Sequence, residues 1–163
     1  MSEMQFIFGS VFLLANKLQI AGDKITEELT TKQWFLLVMI SKMDKELPSM
    51  TDIANFTGST RQNITKMLLI LEKKGYITIS TLPEDKKSMR VTLTEKCGEH
   101  FASKEKSGNE LLEKIFAGIS LDKLRSVSEV FMAMFENLDI IMKLDIDSKI
   151  QPKDIYQVKL EKE

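Results

Sequence analysis

The sequence predicts a mainly α-helical protein with a small β-hairpin of two to three strands, and three observations lead to this fold class. Apolar residues recur at helical spacing over most of the 163 residues, which include only three prolines and seven glycines. Between residues 76 and 93 the apolar period changes to two, as in paired strands. Hydrophobic residues make up 43% and charged residues 29% of the chain, a balance typical of folded rather than disordered proteins.

The N-terminal helix is predicted to be apolar on more than one side. Ile7 and Val11 follow one helical stripe, whereas Phe6 and Phe12 lie off it. Such a helix must be covered on more than one side, and a partner chain is one way to cover it. The stretch FIFGSVFLLA resembles a signal-peptide core, but no Lys or Arg precedes it and it is too short to span a bilayer. We therefore expect a cytoplasmic protein without a membrane partner.

The next two helices are predicted to begin with capping boxes. Thr30 precedes Gln33 by three residues, and Ser49 stands in the same relation to Asp52. In this pattern the hydroxyl of the first residue accepts a hydrogen bond from a backbone N–H of the helix, and the side chain of the second residue reaches back to the backbone N–H of the first. Trp34 lies in the first of these helices, where a core anchor is preferred over a ligand-stacking residue.

The second capped helix is short and is followed by a tight turn and a longer helix. Gly58 can end the short helix in the left-handed conformation, and Thr60 is a suitable N-cap for the longer one. The buried stripe predicted for the longer helix is Ile64, Met67, Leu68 and Leu71. Its first turn carries polar side chains, and such a pair of helices is typical of a helix-turn-helix.

A β-hairpin is predicted directly after this pair of helices. YITIS at residues 76–80 and MRVTL at residues 89–93 alternate apolar and polar side chains, and the charged segment TLPEDKKS separates them. Two antiparallel strands with a basic loop in this position form a wing. Helical periodicity then resumes and continues to about residue 143.

The charge distribution gives weak support for nucleic-acid binding. The formal net charge is −1, but residues 48–98 hold eight basic and five acidic residues and therefore carry +3. The rest of the chain carries −4, so a basic middle lies between acidic ends. An excess of three charges in fifty residues is also common by chance.

Three segments resemble the MarR family of bacterial transcriptional regulators: LTTKQWFLLVMI, SMTDIANFTGSTRQNITKMLLILEKKGYI and LPEDKKSMRVTLTEK. The resemblance implies a homodimer in which the N- and C-terminal helices of two chains intertwine above two winged helix-turn-helix lobes. It also implies a pseudo-palindromic double-stranded DNA site and, usually, repression. Release by a small aromatic or other small-molecule ligand, or by an oxidising signal, is often part of this pattern.

The resemblance also divides the chain into functional parts. An N-terminal dimerisation helix is expected at residues 1–28, the winged helix-turn-helix DNA-binding domain at 29–96, C-terminal dimerisation helices at 97–145 and a mobile tail at 146–163. The residues expected in the dimer interface are Phe8, Val11, Phe12, Phe131, Met134 and Leu138.

The side chains expected to contact DNA are polar or basic and lie in the helix-turn-helix and the wing. Gln or Asn can pair with adenine and Arg with guanine, while basic wing residues neutralise phosphates. A solvated helix face is the alternative explanation. Asp85 would repel phosphate and is expected to orient a basic neighbour, and Lys87 stands where the family usually has arginine. The DNA-contacting set is Ser49, Thr60, Arg61, Gln62, Asn63, Thr65, Lys66, Lys86, Lys87 and Arg90.

No set of residues points to catalysis, a cofactor or a metal site. Cys97 is the only cysteine and His100 the only histidine, so no disulfide within the chain and no clustered metal site are expected. Two alternatives stay open beside the DNA-binding regulator. One is a protein-interaction module on the same scaffold. The other is a redox-responsive regulator acting through Cys97, although a lone cysteine is more often an inert buried residue.

Overall fold

The computed structural model describes residues 1–82 and 85–143 and confirms the mainly helical fold with one small hairpin. The elements are α1 (Glu3–Thr26), α2 (Thr31–Ser41), α3 (Met50–Thr57), α4 (Arg61–Lys73), β1 (Ile77–Leu82), β2 (Asp85–Leu93), α5 (Glu95–Ile115) and α6 (Leu121–Lys143). They form two compact units, one of residues 1–115 and one beginning at Phe116. The tail predicted at 146–163 lies outside the described residues. The functional boundaries at 28/29 and 96/97 stay predictions.

Side-chain caps fix where the helices begin, as the sequence predicts. The Thr30 hydroxyl accepts from the Gln33 N–H at 3.3 Å, and the Thr30 N–H donates to Gln33 Oε1 at 3.2 Å. Ser49 and Asp52 form the same reciprocal pair at the start of α3. Gly58 ends α3 with a φ of 62°, a left-handed conformation that any side chain would strain. These caps satisfy backbone groups that the helices leave unpaired.

The core of the first unit lies where α2, α3, α4 and the hairpin meet. Leu37, Ile53, Leu68 and Val91 are fully buried, and each comes from a different one of these elements. Burial of a side chain of this size stabilises the fold by about 1.5–3 kcal/mol. The apolar stripes therefore hold the helix-turn-helix and the hairpin together as one lobe.

α1 approaches α2 closely at Gly22. A Cβ atom on Gly22 would lie 2.5 Å from the Thr31 Oγ1 atom and 2.9 Å from its Cγ2 atom. The Thr31 hydroxyl lies within hydrogen-bond distance of Gln19 O at 3.0 Å and of Asp23 Oδ1 at 2.7 Å. The hydrogen bonds from the side chain and the backbone of Thr31 lower the pKa of Asp23. The start of α2 is thus fixed against the last turns of α1.

The hairpin is longer than the apolar alternation predicts. β1 and β2 pair antiparallel with Ile77 opposite Leu93, and the pairing continues until β1 ends at Leu82. β2 begins at Asp85 rather than at Met89. The alternation marks only the part of the hairpin that packs on the core, because the sequence of the outer part is largely polar and charged.

The residues before α3 pair with β2 through one isolated bridge. Ser49 and Arg90 form an isolated antiparallel bridge, and the Val91 N–H donates to Pro48 O at 3.0 Å. This bridge agrees with the predicted two- to three-stranded wing. It also joins the residue before α3 to the hairpin.

Apolar side chains of α1 are widely exposed. Phe8 is 64% exposed and Phe12 is 60% exposed. The stretch FIFGSVFLLA, expected to be too short to span a bilayer, lies within the longer helix α1. α1 has 24 residues, and among residues 1–82 and 85–143 it is the one helix long and apolar enough to cross a membrane by length and composition alone. Coverage by a partner chain would explain the same apolar surface.

α6, in the second unit, has apolar side chains of the same kind. Phe131 is 41% exposed, Phe135 63% and Leu138 48%, and Met134 is half-buried. The spacing of these residues along the helix places them on a broad stripe rather than on one narrow line. The residues of this helix that are expected in the dimer interface thus lie near one another along α6 and are exposed or half-buried.

Candidate nucleic-acid interface

α4 has one buried face and one exposed face. Successive residues turn by about 100° around a helix, which places Ile64, Leu68 and Leu71 together on the buried side. Gln62 and Lys66 lie on the opposite side and are exposed. The outer face of α4 is therefore available for contact with another molecule along most of its length.

The first turn of α4 brings together three of the predicted DNA contacts. Arg61, Gln62 and Asn63 are all exposed there. Thr60 caps the turn, because its hydroxyl accepts from the Asn63 N–H at 3.3 Å. Guanidinium donors and amide donor–acceptor pairs suit guanine and adenine edges, and a helix N-terminus favours a nearby phosphate. The arrangement can therefore combine base reading with phosphate binding.

Two predicted contact residues have hydroxyls that are already engaged within the protein. Thr65 is half-buried, donates to Arg61 O at 2.8 Å and lies 3.6 Å from the Met50 sulfur. The Ser49 hydroxyl donates to Asp52 Oδ2 at 2.7 Å and accepts from the Asp52 N–H at 3.1 Å. Both hydroxyls position helices, and a contact with DNA would have to share or exchange these bonds. Their DNA-binding role stays a prediction.

Arg90, also predicted to contact DNA, lies beside the N-terminus of α3. Its side chain is 17% exposed, and Nη1 donates to Leu47 O at 3.4 Å and lies 3.9 Å from Asp52 Oδ2. Lys45 Nζ lies 2.6 Å from the same carboxylate oxygen. Hydrogen bonds from Lys45 and then Ser49 hold the pKa of Asp52 well below its usual range. The geometry thus gives Arg90 a positioning role that the sequence did not indicate, and direct DNA contact stays untested.

The wing residues are placed only by their backbone. Asp85, Lys86 and Lys87 belong to the first half of β2, but their side chains lie outside the described part of the chain. The predicted orienting role of Asp85 and the predicted phosphate contacts of the two lysines therefore stay predictions. The hairpin brings all three close to its turn, at the end farthest from Ile77 and Leu93.

A polar cluster that the sequence pattern did not indicate joins the hairpin to α5. The Tyr76 hydroxyl donates to Glu28 Oε2 at 2.8 Å and lies 3.4 Å from His100 Nδ1. Lys96 Nζ is 3.3 Å from the same carboxylate oxygen and 4.5 Å from the centre of the Tyr76 ring. The hydrogen bonds from Tyr76 and then Lys96 lower the pKa of Glu28, while burial and the Glu28 hydrogen bond raise the pKa of Tyr76 to about 12. The sequence signal was one tyrosine at the edge of a strand, which core packing would explain equally.

A cavity of about 510 Å³ opens between α1, α2 and α5. Its apolar lining includes Trp34, Phe101 and Leu112. Trp34 also packs against the core, so it combines the predicted anchoring role with a surface that faces the cavity. Thr26 lines the cavity too, and its buried hydroxyl has no hydrogen-bond partner among the described residues. The volume lies in the range of small-molecule sites.

The single thiol lies inside the lobe. Cys97 is fully buried, and burial raises the pKa of its thiol to about 11. A redox sensor needs an accessible thiolate, so this geometry argues against the redox alternative. Burial likewise lowers the pKa of His100. In the part of the chain that the structure describes, no three acidic, His or Cys side chains lie close enough together to hold a metal ion.

Known proteins share both the central domain and the fold. Residues 29–89 match the family model described as MarR family. A transcriptional activatory protein, BadR from Rhodopseudomonas palustris, is 31% identical over 97 residues, which are 58% of this chain and 55% of that protein. The chain thus matches about half the length of this relative.

Solved structures extend the likeness to most of the chain. Sco3205 from Streptomyces coelicolor, a MarR family transcriptional regulator in complex with DNA, superposes with a TM-score of 0.73 at 20% identity over 85% of this chain and 89% of its own. A MarR transcriptional regulator from Methanosarcina mazei gives a TM-score of 0.74 at 22% identity over 84% of this chain and 99% of its own. At these identities the likeness shows the winged-helix fold alone. The central domain thus matches the MarR family model, and most of the chain has the winged-helix fold of the solved structures.

Proposed function

We propose that this protein is a homodimeric, sequence-specific DNA-binding regulator that places α4 in the major groove. The observation that carries the proposal is the exposed face of α4, where Arg61, Gln62, Asn63 and Lys66 stand outside the core. An α-helix fits the major groove, and side chains of these types read base edges there. The match of residues 29–89 to the MarR family model and the likeness to a transcriptional activatory protein support a regulator rather than an enzyme.

We assign the basic end of the hairpin to the DNA backbone. Lys86 and Lys87 would neutralise phosphates and release counterions, so affinity must fall as the salt concentration rises. Lysine is a compact and strongly hydrated charge, which suits phosphate contact better than insertion into a narrow minor groove. The hydrogen bonds of Arg90 and Ser49 support this assignment indirectly, because they hold α3 against the hairpin.

The test is fluorescence anisotropy of the full chain on a duplex selected from a random library, compared with a scrambled duplex across a salt series. Arg61→Ala is expected to reduce the preference for the selected duplex roughly tenfold, since a bidentate base contact contributes about 1–3 kcal/mol. Arg125→Ala removes the same charge from an exposed residue of α6 and serves as the matched control. Equal losses on both duplexes would contradict base reading by Arg61. A wild-type chain without any preference would contradict the proposed function itself.

Lys87→Ala separates backbone contact from base reading. It is expected to weaken binding to both duplexes by a similar factor and to reduce the slope of log affinity against log salt by about one. An unchanged slope would remove Lys87 from the phosphate contacts. Failure of both Arg61→Ala and Lys87→Ala to alter regulation in cells would favour the protein-interaction module instead.

We further propose that α1 and α6 form the interface of the homodimer. The proposed interface residues are exposed or half-buried, and they are Phe8, Val11, Phe12, Phe131, Met134 and Leu138. Apolar surface of this extent is uncommon on a protein that functions as a monomer. A dimer would also present two α4 helices to successive major grooves, roughly 34 Å apart, and its two-fold symmetry would match a pseudo-palindromic site.

Sedimentation of charge-bearing variants tests the dimer. Phe12→Glu and Phe131→Glu should give monomers that lose affinity for the selected duplex, because each places a carboxylate in the apolar interface. Phe35→Glu makes the same change at an exposed residue of α2 and should leave the dimer intact. A wild-type monomer at concentrations that saturate DNA would contradict the interface. The same proposal places the protein in the cytoplasm, and recovery of wild-type chain in the membrane fraction would indicate that a bilayer covers α1.

We also propose that a small, mainly apolar aromatic ligand occupies the cavity and relieves DNA binding. A ligand can shift the equilibrium only by binding the free arrangement more tightly than the DNA-bound one. Trp34 is the single tryptophan and lines the cavity, so its fluorescence should change on occupancy. Phenol and benzoate are the probes, and each should quench Trp34 and reduce DNA affinity together. Ala102→Phe fills the space and should remove both responses, whereas quenching without loss of affinity would contradict relief.

Repression is the proposed direction of regulation. A reporter gene downstream of the selected duplex should rise when Arg61→Ala replaces the wild-type chain. A fall in the reporter would instead indicate activation, the activity named for the Rhodopseudomonas palustris relative.

A further inference from the structure

α4 carries two large apolar side chains on its exposed side. Leu69 is 53% exposed and Ile70 is 45% exposed. By contrast, Ile64, Leu68 and Leu71 of the same helix are exposed by 1% or less. Leu69 and Ile70 belong neither to the core cluster nor to the lining of the cavity. Their apolar surface is therefore available to whatever molecule contacts the outer face of α4.

The two side chains continue the lines of the proposed base-reading residues. Leu69 follows Gln62 by seven residues, and Ile70 follows Asn63 by seven. Seven residues make almost two full turns and advance about 10 Å along the helix axis. Lys66 lies on the same face between the two pairs. The outer face of α4 thus changes from amide groups to aliphatic groups along the helix.

We propose that Leu69, with Ile70 beside it, reads thymine methyl groups in the major groove and thereby sets part of the operator sequence. This inference rests on the proposed function, in which α4 lies in that groove. The C5-methyl of thymine is the apolar group that base pairs present there, and aliphatic side chains pack against it. Removing one methylene-sized group from water favours binding by about fourfold. Two adjacent aliphatic side chains therefore give a measurable preference without any hydrogen bond.

DNA is the occupant that the position of the pair favours. The proposed dimer surface lies on α1 and α6, so the second chain does not require the outer face of α4. The polar residues on the same face, Gln62 and Lys66, suit a nucleic-acid surface, since they can reach base edges and phosphates. A protein partner would be the other class of occupant, and the experiment separates the two.

The test replaces each thymine of the selected duplex in turn by uracil, which deletes the methyl group and keeps every hydrogen-bonding group. The wild-type chain is expected to lose about fourfold in affinity at one or two thymines per half-site. Leu69→Ala should bind the unmodified duplex more weakly by a similar factor and should show no further loss when that thymine becomes uracil. Phe35→Ala is the matched control, because Phe35 is also 53% exposed but lies on α2. It should retain the full response to uracil.

The outcomes distinguish this inference from the proposed function. If Leu69→Ala and Ile70→Ala lose as much affinity as the wild type when each thymine is replaced by uracil, the inference is overturned. Arg61→Ala on the same duplexes tests separately whether α4 reads bases at all. If Leu69→Ala disrupts regulation in cells but leaves all duplex affinities unchanged, a protein partner replaces thymine as the occupant. Thermal unfolding of each variant checks that the substitution at an exposed position leaves the fold intact.

Discussion

Tyr76 donates a 2.8 Å hydrogen bond to Glu28, and this bond joins the start of the hairpin to the segment between α1 and α2. The preceding residue, Glu27, has a φ of 51° and pairs with Lys104 of α5 at 2.7 Å. The short segment is therefore held from two sides, by the hairpin and by α5. Lys104, α1 and α5 also line the cavity, so this segment lies between the cavity wall and the hairpin.

The first prediction concerns the shared bond itself. Tyr76→Phe and Glu28→Ala should each lower the urea midpoint of unfolding. The double variant should be little less stable than the less stable of the two single variants, because both substitutions remove the same hydrogen bond. Glu27→Ala removes the neighbouring ion pair with Lys104 and should add to the effect of Tyr76→Phe. Trp34 fluorescence at fixed protein concentration provides the measurement. Fully additive effects of Tyr76→Phe and Glu28→Ala would show that the bond does not couple the two residues.

The second prediction concerns the contact of α1 with α2. Gly22→Ala should destabilise the protein by about 1–3 kcal/mol, because the new Cβ would lie 2.5 Å from Thr31 Oγ1 and the neighbouring hydrogen bonds leave Thr31 little room. Gly98→Ala is the matched control, since nothing lies within 4 Å of the new Cβ in α5. It should stabilise the protein by about 0.5–1 kcal/mol through helix propensity. Urea unfolding of both variants checks the sign of each change in the free energy of unfolding. Equal changes would mean that α1 can move away from α2 at no cost.

Features with local causes could be predicted from the sequence, and features with distant causes could not. The capping partners Thr30 and Gln33 are three residues apart, and Gly58 needs only its own backbone conformation, so both follow from the sequence near them. Tyr76 and Glu28, by contrast, are 48 residues apart and meet because of tertiary packing. No periodic pattern in the sequence predicts such a bond.

The candidate site shows the same division. The exposed first turn of α4 follows from its cap and apolar stripe, so the positions of Arg61 and Gln62 could be predicted. Arg90 alternates with apolar neighbours on β2 and would face outward on an isolated hairpin. In the structure the guanidinium instead lies near Leu47 O and Asp52, next to the bridge between Ser49 and Arg90. Charge type alone cannot distinguish a basic residue that binds DNA from one that positions a helix.

The third prediction concerns acid stability at the start of α3. The folded-state pKa of Asp52 is depressed below its ordinary value of 3.8, chiefly by the hydrogen bond from Lys45. Because the pKa of Asp52 is lower in the folded than in the unfolded state, the ionised carboxylate stabilises the fold at pH values above the unfolded-state pKa. This contribution is lost progressively as the pH falls below about 4. Asp52→Asn should therefore be less stable than the wild type at neutral pH and by a smaller margin in acid.

Urea midpoints measured across the acidic range test this linkage. Lys45→Gln removes the main hydrogen-bond donor to Asp52, so it should lower stability at neutral pH and reduce the part of the stability that is lost in acid. A stability difference between Asp52→Asn and the wild type that does not change with pH would contradict the depressed pKa.

The fourth prediction is that Cys97 is chemically silent in the folded protein. The residue is fully buried and its thiol has a pKa of about 11, so about one thiol in a thousand is ionised even at mildly alkaline pH. A disulfide reagent such as dithionitrobenzoate should label Cys97 in concentrated urea but hardly at all in native buffer. Cys97→Ala should lower stability by about 1 kcal/mol through the lost packing and leave DNA affinity unchanged with or without peroxide. Fast labelling of the native protein, or a peroxide response that disappears in Cys97→Ala, would show that the thiol becomes accessible and would restore the redox-responsive regulator.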